Sequence, residues 1–528
     1  MKEITSSRLI VLFSVFLITF GNITFFSKVT EIYLVNQHNI AFLISLVVFS
    51  TCLIIFLFSL VCYKHTIKPV LITILLISSS TGYFMDSYNV IIDDAMIQNI
   101  VNTDMAESMD LLSFKLVLYL VLLGIVPSIY IYRVKIVYAG IRKEVVSRIK
   151  LVLLSITLIA SVVFIFGDFY ASFFREHKPL RYYSNPAYYL HSTVKYFSRY
   201  INIDVLPFEV IGLDAAISPE DIKRELIVLV IGETARADRF SLNGYDRETN
   251  PFLKKEELVN FTNFWSCGTT TSISVPCMFS IYNESGYSEK KGLAIENLFD
   301  VLQHAGVNVL WLDNNSDSKG VAVRAQYESY KSPKTNPVCD PECRDIGMLP
   351  DVQKYIEAHP TGDIFIVLHQ MGNHGPAYYK RYPPEFEKFK PVCRTNQLEE
   401  CTKPEIDNAY DNAILYTDYF LSEVIKLLKS NKSKFESVMF YVSDHGESLG
   451  ENGLYLHGMP NFMAPDEQRH VPAIMWFGEG FDGANINLLK NKRNKRYSHD
   501  NIFHTVLGFM EIETTIYNQE MDIAHSVK

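Results

Sequence analysis

Five long apolar segments occupy most of the first 170 residues, and they constrain the fold more than any other feature of the chain. They are Leu9–Phe26, Ile40–Cys62, Val70–Tyr88, Leu116–Tyr132 and Leu151–Phe166. Each is close to the ~20 residues that a helix needs to cross the hydrocarbon core of a bilayer. We therefore predict an α-helical membrane domain of five transmembrane helices over residues 1–171. The first segment lacks an A-x-A-like cleavage site and four more follow, so we interpret it as an uncleaved anchor.

The distribution of charge predicts the orientation of these helices. Lys64 and Lys68 lie between the second and third segments, and Arg142 and Lys143 lie between the fourth and fifth, whereas the loop after the third segment is acidic. By the positive-inside rule the N-terminus is cytoplasmic, and an odd number of spans sends everything after Tyr170 outside the cytoplasm. The net charge of −9 argues against a nucleic-acid partner.

The cysteines outside the membrane segments predict an oxidising compartment. They form close pairs along the chain: Cys267 and Cys277, Cys339 and Cys343, Cys393 and Cys401. Six cysteines allow fifteen connectivities, and the close spacing makes bridges between nearest neighbours our expectation. A zinc knuckle is the alternative for "CDPEC" (339–343), although the spacing of nearby histidines does not suit it. Disulfides persist outside the cytoplasm, which agrees with the predicted orientation.

The remainder of the chain divides into a linker and an α/β domain. Residues 172–220 are aromatic and basic, and we predict a linker of amphipathic helices that rest on the membrane surface. Over residues 221–528, short apolar runs alternate with amphipathic stretches, and the runs are "LIVLVIG", "VNVLWLD", "DIFIVLH" and "SVMFYVSD". Such runs are typical of buried parallel strands.

Each of these predicted strands ends in residues of metal-ligand or acid/base type. The endings are Glu233 after the first, Asp313, Asn314 and Asn315 after the second, His369 and His374 after the third, and Asp444 and His445 after the fourth. In an open parallel sheet, ligands bind beyond the carboxyl ends of the strands. We therefore expect these side chains to converge on one site.

The residue types at this edge indicate metal-assisted group transfer. Glu233, Asp444 and His445 offer two carboxylates and an imidazole, a reasonable ligand set for Zn²⁺ with a fourth position open. Such a metal lowers the pKa of a bound hydroxyl, so a threonine of "CGTTTS" (267–272) could attack phosphorus. The alternative is that these threonines only cap a helix. His374, His457 and Lys319 lie in loops and are candidates for binding phosphoryl oxygens or protonating a leaving group.

Long motifs built around these residues resemble one family. "IGETAR", "SCGTTTSISVPCMFS", "HQMGNHGPAYY" and "SDHGESLGENGLYLHG" resemble the motifs of the lipid A phosphoethanolamine transferases, which include the mobile colistin-resistance enzymes and belong to the alkaline phosphatase superfamily. The resemblance covers essentially the whole chain. It implies five membrane helices in the bacterial inner membrane, followed by a periplasmic α/β domain of alkaline phosphatase/sulfatase-like fold.

The resemblance also implies roles for individual residues. Thr271 corresponds to the nucleophile, and Glu233, Thr271, Asp444 and His445 to the zinc ligands. His374 and His457 match histidines that hold the phosphoryl group or a second zinc. Residues that match the lining of the same pocket are His369, Glu447, Asn315, Ser316 and Lys319. Asn99, Thr103 and Glu107 match a loop that reaches the lipid head group; four apart, they would share one face of a helix, and a solvated polar face is the alternative.

The implied reaction is transfer of phosphoethanolamine from phosphatidylethanolamine to a phosphate of lipid A through a phosphoethanolamine-threonine intermediate. The added amine would offset surface charge and weaken the binding of polymyxins and other cationic peptides. We expect a monomer that works among membrane lipids. A transferase acting on core heptose or another glycan remains an alternative. A sulfatase would need a C-x-P-S-R-like segment that "CGTTTS" lacks, and a non-catalytic sensor would be expected to have lost a zinc ligand.

Overall fold

The computed structural model describes residues 3–103, 105–175, 177–201, 206–219, 221–340 and 342–525. The chain forms two compact units. One, the membrane unit, comprises Met1–Val101 and Leu111–Ile203; the other, the catalytic unit, comprises Asn102–Asp110 and Asp204–Lys528. A short piece of the N-terminal region therefore belongs with the C-terminal half.

The helices of the N-terminal region are α1 (Ser6–Phe20), α2 (Ile23–Ile32), α3 (Ile40–Val61), α4 (Ile67–Tyr88), α5 (Asp94–Asn102), α6 (Met105–Asp110), α7 (Phe114–Arg133, with π-helical turns over Leu120–Ile125), α8 (Ile141–Ile165), α9 (Gly167–Arg175) and α10 (Ala187–Ile201). Among the described residues, α3, α4, α7 and α8 are each long and apolar enough to cross a membrane. The bent pair α1 and α2 adds a fifth span if the two helices are counted together. The predicted membrane-embedded fold class is confirmed.

The first predicted span, Leu9–Phe26, is broken, because α1 and α2 meet at a bend of 58°. Asn22 lies at the break. Its side-chain amide donates to the Leu17 carbonyl at 3.0 Å and to the Asn185 carbonyl at 2.7 Å. The Leu17 carbonyl also accepts from Gly21 N at 2.8 Å, so the Asn22 amide adds a second bond at the last turn of α1 and links this turn to Asn185. Hydropathy alone does not detect this polar interruption of an apolar run.

The segment predicted as a linker is divided between the two units. Residues up to 201 belong to the membrane unit, where the Asn185 amide donates to Asn22 Oδ1 at 2.9 Å. Residues 206–219 belong to the catalytic unit, where Glu209 N donates to the Ala294 carbonyl at 2.8 Å and Ala216–Ile217 pairs with Ile512–Glu513. Both parts are therefore bonded to a folded body.

An eight-stranded sheet organises the catalytic unit. Its strands are β1 (Glu225–Gly232), β2 (Leu258–Trp265), β3 (Asn308–Asp313), β4 (Gln326–Ser329), β5 (Ile364–His369), β6 (Glu436–Ser443), β7 (His470–Phe477) and β8 (Tyr497–Ser498). The spatial order is β8-β2-β7-β6-β1-β5-β3-β4. The pairs β6-β1-β5-β3-β4 are parallel, and β7 runs antiparallel to both β6 and β2. The α/β architecture is confirmed, with the four predicted strands as β1, β3, β5 and β6.

Helices cover both faces of this sheet, which explains why β1, β5 and β6 are buried along their whole length. The helices are α11 (Thr271–Met278), α12 (Glu289–Leu293), α13 (Leu298–His304), α14 (Leu349–Ala358), α15 (Lys403–Ser430), α16 (Ile486–Lys492) and α17 (Ile502–Phe509). The cores on the two faces are separate apolar clusters. The sheet is thus a rigid support for the loops at its edges.

Disulfides join the cysteines as nearest neighbours: Cys267 to Cys277, Cys339 to Cys343 and Cys393 to Cys401. The predicted pairing is confirmed. The zinc-knuckle alternative for residues 339–343 is wrong, because the bond consumes both thiols that would have served as ligands.

Candidate functional site

One edge of the sheet collects the polar strand endings. Because β1, β3, β5 and β6 are parallel, their carboxyl ends lie at the same edge. Since β7 is antiparallel to its neighbours on either side, β2 also ends there, and the loop after β2 leads directly into α11. The topology therefore brings the threonine segment to the edge where the predicted ligands lie.

Glu233, Thr271, Asp444 and His445 form a compact buried cluster. The ligand atoms of Glu233, Asp444 and His445 all lie within 4.8 Å of one another. The Thr271 hydroxyl donates to Glu233 Oε2 at 3.2 Å and lies 3.5 Å from His445 Nε2. His445 Nε2 is 3.3 Å from Asp444 Oδ2 and 3.6 Å from Glu233 Oε1. Residues from three separate strand ends meet in this cluster.

The donor atoms of this cluster fit a bound cation. His445 Nδ1 lies 2.9 Å from the Gly446 carbonyl, which only accepts, so the imidazole carries its proton on Nδ1 and presents the Nε2 lone pair to the carboxylates. Asp444 Oδ1 accepts from the amides of Thr234 and His445, while its Oδ2 is buried and has no hydrogen-bond partner among the residues that the structure describes. In a buried site, carboxylate oxygens and an imidazole lone pair that face one another repel. A positive charge between these atoms would stabilise the arrangement.

The protein surroundings raise the pKa of both carboxyl groups in this cluster. Burial, reinforced by the neighbouring Asp444, raises the pKa of Glu233 well above its ordinary value. Burial also raises the pKa of Asp444, to about 7. The site therefore disfavours uncompensated negative charge, which a bound cation would offset.

The threonine segment is held from both sides. Thr271 is the first residue of α11, and the bond from Cys267 to Cys277 encloses it. Thr269 donates to the Met459 carbonyl at 2.7 Å, which ties the turn to the loop that carries His457. Thr270 occupies the N-cap position but makes no side-chain capping bond. Capping therefore does not explain the three threonines.

Two further predicted histidines lie beside the cluster. The His457 ring centroid is 4.4 Å from that of His445 and 6.2 Å from that of His374. His457 Nδ1 is 3.2 Å from Glu447 Oε1, and Glu447 is fully buried. The structure therefore groups His374, His457 and Glu447 next to the four-residue cluster.

The loops after β3 and β5 supply the remaining predicted residues. Asn315 donates to Glu233 Oε2 at 2.7 Å and to the Gln370 carbonyl at 2.8 Å, so its side chain orients Glu233. His369 Nδ1 lies 2.9 Å from Asp313 Oδ2 on the neighbouring strand. Ser316 and Lys319 follow Asn315 on the same loop, where the Lys319 ammonium donates to the Ser316 carbonyl at 2.6 Å. Gly372 allows these loops to close, since a Cβ there would lie 2.9 Å from Glu233 N.

The residues predicted to reach a lipid head group are not on one continuous helix. Asn99 lies in α5, Thr103 follows the end of α5, and Glu107 lies in α6. The four-residue spacing therefore does not define a helical face here, contrary to our prediction. The side chain of Glu107 lies outside the described part of the chain. Thr103 and Glu107 belong to the catalytic unit, whereas Asn99 belongs to the membrane unit.

An ion-pair network that the sequence did not reveal holds α6 within the catalytic unit. Asp110 bonds to Lys380, and its Oδ2 lies 2.8 Å from Arg381 Nη2. Arg381 also pairs with Glu342 and donates from Nε to the His374 carbonyl at 2.6 Å. One buried guanidinium thus connects the end of α6 to the backbone of a candidate substrate-binding residue.

His499 is a second residue that sequence reasoning missed. It is fully buried; its Nδ1 accepts from Cys267 N at 3.2 Å, and its Nε2 lies 3.0 Å from the Ser443 carbonyl. Burial lowers the pKa of His499 to about 3, so the ring is neutral with its proton on Nε2. His499 therefore joins the threonine segment to the end of β6, immediately before Asp444. No spacing rule links it to either motif.

We expect His499→Ala to lower kcat by about 10- to 100-fold, because displacement of reacting groups by ~1 Å costs that much. KM and bound metal should change little, since His499 contacts neither cluster nor substrate directly. His499→Asn should recover part of kcat, because Asn Oδ1 can still accept from Cys267 N. Steady-state kinetics and metal analysis of the purified variants test this.

The matched control is His504→Asn, because His504 is also buried and accepts a backbone amide, that of Asn518, at 3.2 Å. It lies away from the cluster on α17 and should retain kcat. Equal losses of kcat in the two variants would show that His499 acts only through general stability.

Comparisons with known proteins give matches along almost the whole chain. Residues 225–512 match the sulfatase family model, and residues 50–201 match the model described as phosphoethanolamine transferase EptA/EptB. The chain is 44% identical over 489 residues to phosphatidylethanolamine transferase Mcr-1 of Escherichia coli, with 90% of each protein covered. It is 38% identical over 517 residues to phosphoethanolamine transferase EptA of Escherichia coli strain K12, covering 96% of this chain and 94% of that protein.

A solved structure of a full-length membrane protein also matches. It is the integral membrane lipooligosaccharide phosphoethanolamine transferase A from Neisseria meningitidis, with a TM-score of 0.95 and 36% identity over 99% of each chain. The match extends over both the helical N-terminal region and the α/β unit.

Proposed function

Because this chain belongs to the phosphoethanolamine transferase family, we propose that it transfers phosphoethanolamine from phosphatidylethanolamine to a phosphate of lipid A. The observation that carries this proposal is the position of Thr271. Its hydroxyl lies at the start of α11, within 3.2 Å of Glu233 and 3.5 Å of His445, in a cluster built to hold a cation. A hydroxyl so placed serves as a nucleophile toward phosphorus.

In the first step, Thr271 Oγ attacks the phosphorus of the donor and the bond to the diacylglycerol oxygen breaks. The hydroxyl proton passes to Glu233, whose Oε2 lies 3.2 Å from the hydroxyl oxygen, and His457 supplies the proton to the diacylglycerol oxygen as it leaves. Phosphoethanolamine is then bonded to Thr271. In the second step, a phosphate oxygen of lipid A attacks the same phosphorus, and the threonine oxygen leaves and takes back the proton held by Glu233. Two in-line displacements thus transfer the phosphoethanolamine group from the donor to lipid A, and free phosphoethanolamine is not released.

His457 and His374 contribute charge and protons around the reacting phosphoryl group. Glu447 Oε1 lies 3.2 Å from His457 Nδ1 and orients the ring, which is proposed to donate to a phosphoryl oxygen or to the leaving diacylglycerol oxygen. The lowered pKa of His374, caused by burial and the nearby Arg381, makes it a neutral partner. Asn315, Ser316, Lys319 and His369 complete the proposed lining of this pocket.

The donor set of Glu233, Thr271, Asp444 and His445 suits zinc, because it combines one imidazole nitrogen with oxygen ligands in a buried site. A zinc ion bound there would lower the pKa of the threonine hydroxyl and offset the charge that develops on phosphoryl oxygens. His374, His457 and Glu447 are the groups that could hold a second ion.

The proposed setting is the bacterial inner membrane, with the catalytic unit in the periplasm. The basic loops and the disulfides support this orientation. Asn99, Thr103 and Glu107 are proposed to contact the lipid head group as the donor enters. Addition of an amine to lipid A would reduce its negative charge, which predicts resistance to polymyxins and other cationic peptides.

Mass spectrometry of lipid A and of the core oligosaccharide, from cells with and without this chain, tests the proposal. We expect lipid A to gain one phosphoethanolamine unit only when the chain is expressed. A gain on the core oligosaccharide instead would support the alternative acceptor, core heptose or another glycan, with the same catalytic residues. Expression without any gain on either component would contradict the transferase activity.

A further inference from the structure

We propose that Asp221, Glu225 and Asp363 form a second cation site, which binds Ca²⁺ at the opposite end of the sheet from Thr271. Glu225 is the first residue of β1 and Asp363 immediately precedes β5. These are the amino ends of two adjacent parallel strands. At ~3.3 Å per residue, the eight residues of β1 place this end about 25 Å from Glu233. The site is therefore separate from the catalytic cluster.

The three carboxyl groups face one another at ligand distances. One oxygen from each lies within 4.8 Å of the others. One oxygen of Asp363 accepts from Glu225 N at 3.1 Å, and one oxygen of Asp221 accepts from Lys223 N at 3.0 Å. Backbone amides thereby hold two of the carboxyl groups in place.

The second oxygen of each carboxyl group is buried, and no N–H or hydroxyl group of the described residues donates to it. These atoms are Asp221 Oδ2, Glu225 Oε2 and Asp363 Oδ2. Glu225 and Asp363 are only 2% and 3% exposed, so water does not replace the missing partners at their surfaces. Burying several carboxylate oxygens without compensation is strongly unfavourable. Either a proton or a cation must therefore lie between them.

The basic side chains nearest in sequence form their direct bonds with other groups, and Arg224 acts on Asp363 and Glu225 only through its charge. Arg224 donates from Nε to the Gly362 carbonyl at 2.8 Å and stacks over Phe435. Lys223 pairs with Glu436 and Asp482. Within the described part of the chain, no ion pair is found for Asp221, Glu225 or Asp363. Burial and the neighbouring carboxyl groups of Asp363 and Asp221 raise the pKa of Glu225 to about 10, so a proton shared among these groups neutralises them unless a cation replaces it.

The element type of the donor atoms indicates which cation the site would prefer. All three donors are carboxylate oxygens, which hard cations prefer, and neither nitrogen nor sulfur is present to favour zinc. Ca²⁺ accepts irregular arrangements of oxygen ligands, whereas Mg²⁺ requires a near-ideal octahedron. A bound Ca²⁺ would tie Asp221, in the segment that enters β1, to the start of β5. It would thereby stabilise the catalytic unit where the chain enters the sheet.

Calorimetric titration of Ca²⁺ into zinc-loaded, full-length protein in detergent tests this site. We expect one Ca²⁺ to bind beyond the zinc, and the melting temperature to rise with Ca²⁺ concentration by mass action. Glu225→Gln and Asp363→Asn, each made singly, should weaken Ca²⁺ binding by at least about tenfold. Asp482→Asn, which removes an exposed carboxylate at the same end of the sheet, should bind Ca²⁺ normally.

Retained zinc content and a cooperative melting transition would show that each variant is folded. Absence of Ca²⁺ binding by the unaltered protein would overturn the proposal. So would Ca²⁺ affinity in Glu225→Gln and Asp363→Asn equal to that of the unaltered protein. A higher melting temperature of Glu225→Gln with no Ca²⁺ response in either protein would show that shared protons, not a cation, neutralise the cluster.

Discussion

Replacement of Thr271 by alanine is expected to lower phosphoethanolamine transfer by at least about 10³-fold, because removal of a nucleophile eliminates the covalent route. The side chain is small and lies at the first turn of α11, so the fold should persist. The measurement is release of diacylglycerol from phosphatidylethanolamine by purified full-length protein, together with intact-protein mass spectrometry. The unaltered protein should gain a phosphoethanolamine unit, and Thr271→Ala should not.

Two variants provide matched controls for this result. Thr271→Ser keeps a hydroxyl at the same position and should retain part of the activity. Thr270→Ala removes the adjacent hydroxyl, which contacts Ser272 Oγ at 3.2 Å and not the cluster, and should lose far less activity than Thr271→Ala. Full activity of Thr271→Ala, or a modified protein that still carries phosphoethanolamine, would move the nucleophile to another residue.

Substitution of Asp444 by asparagine is expected to lower zinc affinity by at least about 100-fold and to abolish transfer at limiting zinc. The change removes one of the negative charges that draw a cation into the cluster and leaves the shape of the side chain intact. Bound zinc per protein, measured after dialysis against zinc-buffered solution, gives the affinity. Treatment of the unaltered protein with EDTA should produce the same loss of activity, and added zinc should reverse it.

Asp418→Asn is the matched control for this measurement. Asp418 is also fully buried, and burial also raises its pKa to about 7, but it accepts from the amides of Phe252 and Leu253 away from the cluster. It should keep both zinc and activity. Zinc content of Asp444→Asn equal to that of Asp418→Asn would contradict the assignment of Asp444 as a ligand.

The sheet was predictable where strands are continuous apolar runs that end in polar residues. β1, β3, β5 and β6 follow that pattern. β2 and β7 were not predicted, although β7 sits between β6 and β2 and places the threonine segment at the correct edge. The reason is that a sheet mixing parallel and antiparallel pairs is specified by contacts between distant segments, which no local pattern contains.

The residues of the candidate site also divide into those that the sequence could predict and those that it could not. Glu233, Asp444 and His445 could be proposed from sequence because each immediately follows a strand, and Thr271 because its motif is long. The continuous helix proposed for Asn99, Thr103 and Glu107 was wrong, because spacing alone cannot show that α5 ends at Asn102. His499 and Arg381 could not be predicted from the sequence. Their side chains contribute to the site through hydrogen bonds to backbone atoms of other segments, Cys267 N and the His374 carbonyl.

The amino-acid sequence by itself determined the position of the apolar membrane segments, the α/β class and the chemical types available at the strand ends, and it favoured disulfides between neighbouring cysteines. These properties depend on local composition and on residues adjacent in the chain. Only the tertiary structure decided which strand ends meet, which nitrogen of His445 faces the carboxylates, that α6 belongs to the catalytic unit and that Asp221, Glu225 and Asp363 converge. Those outcomes depend on packing between residues separated by tens to hundreds of positions, and the sequence alone does not give the distances between them.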